Sequence, residues 1–174
     1  WICLGWVRNL IDLPLEQVHL HAIWDDEGSQ QVSVTTLVEQ RRIRGGGMAP
    51  YRVYSTSLPA AGVSPEITLL SYRLGSGTYT TLQIQQEHGE ALLDEGRYRL
   101  QAEIENPYDF AVPLVEAVVT LVDARGRITG YRVVRLPEGI AARTSQPILV
   151  DVLPVLLDHD VAHVLNVEAY ADER

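Results

Sequence analysis

The sequence predicts an all-β chain of two tandem antiparallel β-sandwich domains, and three observations carry that prediction. Apolar residues recur with period two in several short runs, the mark of strands with one buried face. Turn signals rich in Gly, Asp, Asn and Pro separate these runs at the short spacing of a sandwich. The whole succession then occurs twice: "VRNLIDLPLEQVHLHAIWDDEG", from Val7 to Gly28, shares its plan with "IENPYDFAVPLVEAVVTLVDARG", from Ile104 to Gly126.

In the first copy Cys3, Gly5 and Val7 alternate with other residues and end on Asn9; in the second, Leu100, Ala102 and Ile104 end on Asn106. Asn is a natural terminator here, because its side chain bonds the local backbone in the turn that follows. The next runs are Val18, Leu20, Ala22 and Trp24, matched by Val115, Ala117, Val119 and Leu121. "DDEG" and "DARG" follow, from Asp25 to Gly28 and from Asp123 to Gly126, and read as hairpin tips in which Gly supplies a positive φ. Returning strands are expected around Val32 and Val34, and from Ile128 to Leu136. Beyond the loops "RIRGGGMAP" and "LPEGIAART", the run "YRVYSTSLP" matches "PILVDVLP", and the last strands are "EITLLSYRL" and "HVLNVEAYA". Five strands thus recur in order at an offset of about 95 to 98 residues, the signature of a structural repeat. From Pro154 to Leu165 a loop with at most one helical turn is expected.

The junction Gly75-Ser76-Gly77 divides the chain into domains at 1–77 and 78–174. Thr80, Leu82 and Ile84 alternate and read as the first strand of the second domain. The first domain has no counterpart to that strand in this sequence, which starts at Trp1 inside its first recognisable strand; either the first strand lies ahead of Trp1 or that edge is supplied differently and is open. Such an edge invites strand addition by a protein partner or by a second copy of the chain.

Composition removes several function classes. A formal charge of −9 and a pI near 4.9 argue against a nucleic-acid partner, which needs clustered cations to release counterions. The fourteen basic residues are all Arg; without Lys there is no phosphate loop ending in Gly-Lys, no Schiff base and no Ser-Lys dyad. Cys3 stands alone, which excludes an intrachain disulfide and a thiolate metal cluster. No run approaches the roughly 20 apolar residues of a membrane helix, and the N-terminus lacks a signal peptide's basic region. Membrane contact is expected only through a segment outside this chain.

The phrases around Asn9 and Asn106-Pro107, with "LPLEQVHLHAIWDDEG" and "LVDARGRI…LPEGIAARTSQPILVDV", resemble two copies of the FxLYD-type bacterial domain. They are also similar to the WHy domain of late-embryogenesis-abundant proteins. The chain departs from both patterns: it has no Phe-x-Leu-Tyr-Asp run, and Leu10 stands after Asn9 where WHy has Pro. The resemblance implies immunoglobulin-like or fibronectin-III-like sandwiches, an extracytoplasmic place in the bacterial envelope or in secretion, and no enzymatic activity. It carries no catalytic residues and no cofactor.

The residues themselves give no catalytic signature. There is no Gly-x-Ser-x-Gly elbow, and Cys3 in a strand is expected to be an inert thiol. His19 and His21 share a strand face, but zinc needs two further ligands, and a solvated face is the preferred reading. Asp158, His159, Asp160 and His163 form the one candidate ion site, although two carboxylates fall short of a hard cation's needs. Arg41, Arg42 and Arg44, followed by Gly45-Gly46-Gly47, form the one basic cluster and a candidate anion site, with a solvated hairpin tip preferred. Two functions follow: a non-catalytic structural or protein-interaction module, and, as the competing class, a ligand-binding module. The latter would take a carbohydrate or metal ion through Trp6 and Tyr51 or through the loop from Asp158 to His163.

Overall fold

The computed structural model describes residues 1–28, 30–76, 78–158 and 160–171, and within them the chain is all-β with antiparallel ladders throughout. It divides into two compact units, Trp1–Gly75 and Ser76–Arg174, two residues before the boundary drawn from the sequence.

The first unit contains β1 (Ile2–Arg8), β2 (Leu15–Asp25), β3 (Gln31–Leu37), β4 (Arg42–Ile43), β5 (Met48–Tyr54) and β6 (Glu66–Leu74). β1 pairs β5, and β2 pairs β3, β4 and β6. Val18, Leu20, Ala22 and Trp24 are buried along one face of β2, as the period-two reading requires. Two clusters fill the interior: one joins Leu15, Val18 and Leu20 to Val38, Ile43 and Ala49, and a smaller one joins Ala22 and Trp24 to Val53. Both draw on β2 and β5, so two sheets share the interior, an arrangement consistent with a β-sandwich.

The second unit contains β7 (Thr78–Tyr79), β8 (Gln83–Leu92), β9 (Arg97–Glu105), β10 (Leu114–Val122), β11 (Ile128–Leu136), β12 (Ser145–Val152) and β13 (Ala162–Ala171). Its sheets run β11-β10-β13-β7 and β12-β9-β8, and a single cluster of buried side chains from β9, β10, β12 and β13 lies between them. β10 is buried along nearly its whole length; even Glu116 on its outward row is covered, its Oε1 accepting from Arg135 Nε at 2.8 Å. The strand expected from Thr80 starts later, at Gln83, because the Thr80 amide donates to Ala169 of β13 (2.8 Å) instead of joining β8. The described residues between β12 and β13 form no helix or strand, and a 3₁₀ turn at Leu93–Glu95, ended by Gly96 at φ 64°, joins β8 to β9.

The repeat is most literal at its two asparagines. Asn9 is fully buried, and its Nδ2 donates to the carbonyls of Leu13 (2.8 Å), Ile43 (2.9 Å) and Arg44 (3.1 Å), 4, 34 and 35 residues away. Asn106 is equally buried and donates to Phe110 (2.8 Å), Ile140 (3.1 Å) and Ala141 (3.1 Å) at the same three separations. Each Oδ1 accepts an amide two residues on, from Ile11 and from Tyr108. A buried amide satisfied at both ends ties the strand end, the following turn and a distant loop into one piece. The hairpin tips also match: Asp26 Oδ1 accepts the amides of Gly28 and Gln30, and Asp123 Oδ1 those of Arg125 and Arg127, all at 2.9 Å.

Candidate functional site

The two units differ most at the strand that carries the asparagine. In the second unit β9 pairs β12 on one side and β8 on the other; in the first, β1 pairs β5 alone among the described strands. The amide of Ser55 donates to Trp1 O (3.0 Å) and that of Asn9 to Gly47 O (2.9 Å), so odd-numbered residues of β1 turn their backbone groups toward β5. Ile2, Leu4, Trp6 and Arg8 therefore direct their N–H and C=O groups to the open edge.

Their side chains form the outward row, because Cys3 and Val7 pack against the interior and Gly5 lies over Tyr51, whose hydroxyl a Cβ at Gly5 would strike. In the second unit the matching outward row of β9 is Arg99, Gln101, Glu103 and Glu105. Charged and amide groups there give way in the first unit to Ile, Leu and Trp. The free side of β8 is guarded differently: its register with β9 shifts between Gln85 and His88, where Gln86 has φ 51°, and Gln, Glu and His side chains surround the bulge. From Ile2 to Val7, β1 holds no charge, Pro or bulge.

The sequence-derived sites come apart in three dimensions. Trp6 stands opposite Pro50 and Tyr51 opposite Gly5, which puts the two rings on opposite faces of the β1–β5 pair, so a ligand does not meet both from one side. Tyr51 packs into the interior, and burial pushes its hydroxyl pKa up. Arg42 lies on β4 in an ion pair with Glu16, while Arg41 and Arg44 are exposed. The Arg44 carbonyl accepts from both Asn9 and Gly47, so the glycine-rich loop is committed to closing over the buried asparagine.

In the second unit His163 lies on β13 and is engaged by groups far from it in sequence. Its Nδ1 is 2.6 Å from the Tyr98 hydroxyl and its Nε2 is 2.8 Å from Glu87 Oε1. Burial, and then the nearby Glu87 charge, raise the Tyr98 pKa. Partners 65 and 76 residues away leave no local signal, and sequence reasoning missed this row. Asp158 and Asp160 instead line a hollow of about 280 Å³ with Asp123, Arg125, Arg127, Thr129, Leu156 and Val161. His159 lies outside the described residues. Within them, no group of three or more His, Cys, Asp and Glu side chains is arranged to hold a metal ion. Asp123 is bound to Arg127, whose backbone and side-chain hydrogen bonds hold its carboxyl below the usual range, and the buried Thr129 hydroxyl has no partner among the described residues.

Comparison with protein-family models, curated proteins and solved structures finds no match to this chain.

Proposed function

We propose that the chain is a non-catalytic structural or protein-interaction module of two tandem immunoglobulin-like or fibronectin-III-like β-sandwiches, working outside the cytoplasm in a bacterial envelope or secreted protein. The observation that carries the reading is the edge of β1, which among the described residues pairs β5 alone and presents backbone donors and acceptors beside apolar side chains, a place for a further strand, whether from this protein ahead of Trp1 or from a partner. The family resemblance to FxLYD and WHy domains, carried by the Asn9 and Asn106 phrases, supports the sandwich type and the location. The Tyr98–His163–Glu87 row fits a structural role, since it links β9, β13 and β8 and its tyrosine is buried.

A ligand-binding module is the second reading, favoured by the hollow beside Thr129 and its unpartnered hydroxyl. Thermal shift separates the two, because a ligand that binds only the folded state raises Tm with its concentration. The expected result is no shift with simple sugars, calcium or zinc. A saturable rise with any of these, lost in Thr129→Val, replaces the interaction reading with the ligand reading. Turnover of any substrate class that a point substitution abolishes removes both.

A further inference from the structure

We infer that the hollow at the β10–β11 tip receives a single lysine side chain of a partner protein, whose ammonium group meets the Asp160 carboxylate and the Thr129 hydroxyl; this rests on the interaction reading above and names the partner's chemistry. At about 280 Å³ the hollow is smaller than the roughly 300–1,000 Å³ of pockets for drug-sized ligands and holds one side chain with ease. Leu156 and Val161 supply an apolar wall for its stem, and Asp123, Asp158 and Asp160 bring three carboxylates against the two guanidinium groups of Arg125 and Arg127. Asp123 and Arg127 already answer each other: the Arg127 amide and side chain, both hydrogen-bonded to Asp123, hold its carboxyl below the usual range. Acidic groups outnumber basic ones along the lining, on a chain whose formal charge is −9, and the occupant that complements them is a cation. An ammonium carries three donors that point apart, as acceptors on different walls require, whereas the flat fork of a guanidinium suits a single carboxylate. A metal ion is a poorer fit, because among the described residues no three His, Cys, Asp or Glu side chains are arranged to hold one. Arg125 is exposed at the same rim and repels a second cation, so a lone lysine beside an acidic or neutral residue fits better than a basic run.

Thr129 points to an occupant independently of the charges. It lines the hollow, is 5% exposed, and its buried Oγ1 has no hydrogen-bond partner among the described residues. A buried hydroxyl left unmatched is a feature that folds ordinarily avoid, and a donor that enters the hollow supplies the match. Thr129 is also the extra residue of a β-bulge: Ile128 stands opposite Val122 and Gly130 opposite Leu121, so Thr129 has no residue across from it on β10. Its carbonyl accepts the Val155 amide at 2.7 Å, which ties the loop after β12 to the bulge. The first unit builds the same tip without these features. There Gln31 opposes Asp25 and Val32 opposes Trp24, with no residue between them. Aligned on the matching Asp26 and Asp123, Gly28 and Gln30 stand where the second unit has Arg125 and Arg127. From Ser55 to Pro65 the segment after β5 carries no charge. The bulge, the buried hydroxyl and the charged loop are therefore additions of the second unit and not requirements of the sandwich.

The experiment is an amide NMR titration of this chain with lysine blocked at both backbone ends, beside the same compound acetylated on its side-chain nitrogen. The expected result is a saturable shift of the Ala124, Thr129 and Val161 amides with the charged form, half-complete at about 1–10 mM as suits one small contact, and none with the neutral form. Thr129→Val keeps the side-chain shape and removes the hydroxyl; Asp160→Asn removes a charge at an exposed position and covers the case in which the valine variant does not fold. Each, with the rest of the spectrum unchanged, is expected to weaken binding by about tenfold, and Arg125→Ala to tighten it by about twofold. The inference is overturned if the charged form gives no saturable shift at these amides, if the neutral form reproduces the shift, or if a folded Thr129 or Asp160 variant binds as the parent does. Free lysine or putrescine binding at least tenfold more tightly than blocked lysine overturns it too, because the occupant is then a free small molecule. None of these outcomes removes the interaction reading, whose strand edge shares no residue with the hollow; that reading falls instead to turnover or to the sugar and metal titrations above.

Discussion

Both units bury the same asparagine in the same cage of carbonyls, but the first surrounds it with two modest clusters and the second with one continuous core. The difference follows from β8. That strand completes the edge of β9 and brings Ala91 to the core and Glu87 to His163, whereas β1 has no such neighbour among the described strands. One matched inward pair marks the consequence: Leu69 of β6, opposite buried Leu20, is exposed, whereas Val167 of β13, opposite Ala117, packs against the core. Among the described strands, that one neighbour accompanies the difference between a continuous core and two smaller clusters.

The largest expected effect tests what the units share. Replacing Asn106 with Ala removes four hydrogen bonds and leaves the Phe110 carbonyl and Tyr108 amide without their partner, while Ile140 and Ala141 keep their bonds from Val112 and Thr144; at roughly 1 kcal/mol for each bond lost the loss should reach at least about 3 kcal/mol. Asn9→Ala should cost a similar amount, because its contacts are the same. Urea unfolding can follow the units separately: Trp1, Trp6 and Trp24 all lie in the first, so tryptophan emission reports it, and amide exchange in β10 reports the second. A loss under about 1 kcal/mol at either asparagine would remove the cage as the basis of the repeat.

The next effect tests the difference in cores. Ile104 is fully buried, and Ile104→Ala should destabilise the second unit by about 2–5 kcal/mol through lost transfer energy and the cavity left behind. Its counterpart Val7 is only partly buried, and Val7→Ala should cost the first unit about 1 kcal/mol. Equal losses in the two urea curves would show that the first unit's interior is as tightly filled as the second's. A smaller contrast of the same kind separates Val167→Ser, expected to cost about 1–2 kcal/mol, from Leu69→Ser, expected to lie within about 0.5 kcal/mol.

Much of this architecture was legible in the residues, for reasons that also explain what was not. "ITGYRVVRL" and "EITLLSYRL" became β11 and β6 at the expected bounds, because turn chemistry closes both ends of each run. β4 and β7 are two residues long and carry no period to detect. Asn9 and Asn106 could be read as turn formers, but their reach to carbonyls 34 and 35 residues away is a tertiary fact. Strand register decides the candidate sites: Tyr51 stands opposite Gly5 and not Trp6, a pairing that the residues alone do not give. The acidic run from Asp158 divided because His163 had entered β13, where Tyr98 and Glu87 hold its ring, while Asp158 and Asp160 stayed at the hollow.

The smallest effect concerns acid, and it too follows the outward rows. Asp151 on β12 stands opposite Arg99, accepts from its Nε (2.8 Å) and Nη2 (3.1 Å), and meets Arg97 Nη1 at 2.8 Å. The Arg99 hydrogen bond, followed by the charges of Arg97 and Arg99, holds its carboxyl below the ordinary aspartate range. A folded-state pKa lower than the unfolded one favours folding at every pH above the unfolded value, about 3.9, and that gain disappears as pH falls through the folded value. The corresponding pair in the first unit is Ile2 and Tyr54, which supply no such linkage. Acidification below about pH 4 should therefore weaken the second unit through Asp151 in a way that Asp151→Asn removes, with the first unit's tryptophan-detected curve unaffected by that substitution. The clamp is partly exposed, so its contribution should also shrink as salt is added. An acid slope in the second unit that survives Asp151→Asn would assign the linkage to another carboxylate, with Asp123 at the β10–β11 tip the next to replace, since Arg127 holds its carboxyl down as well.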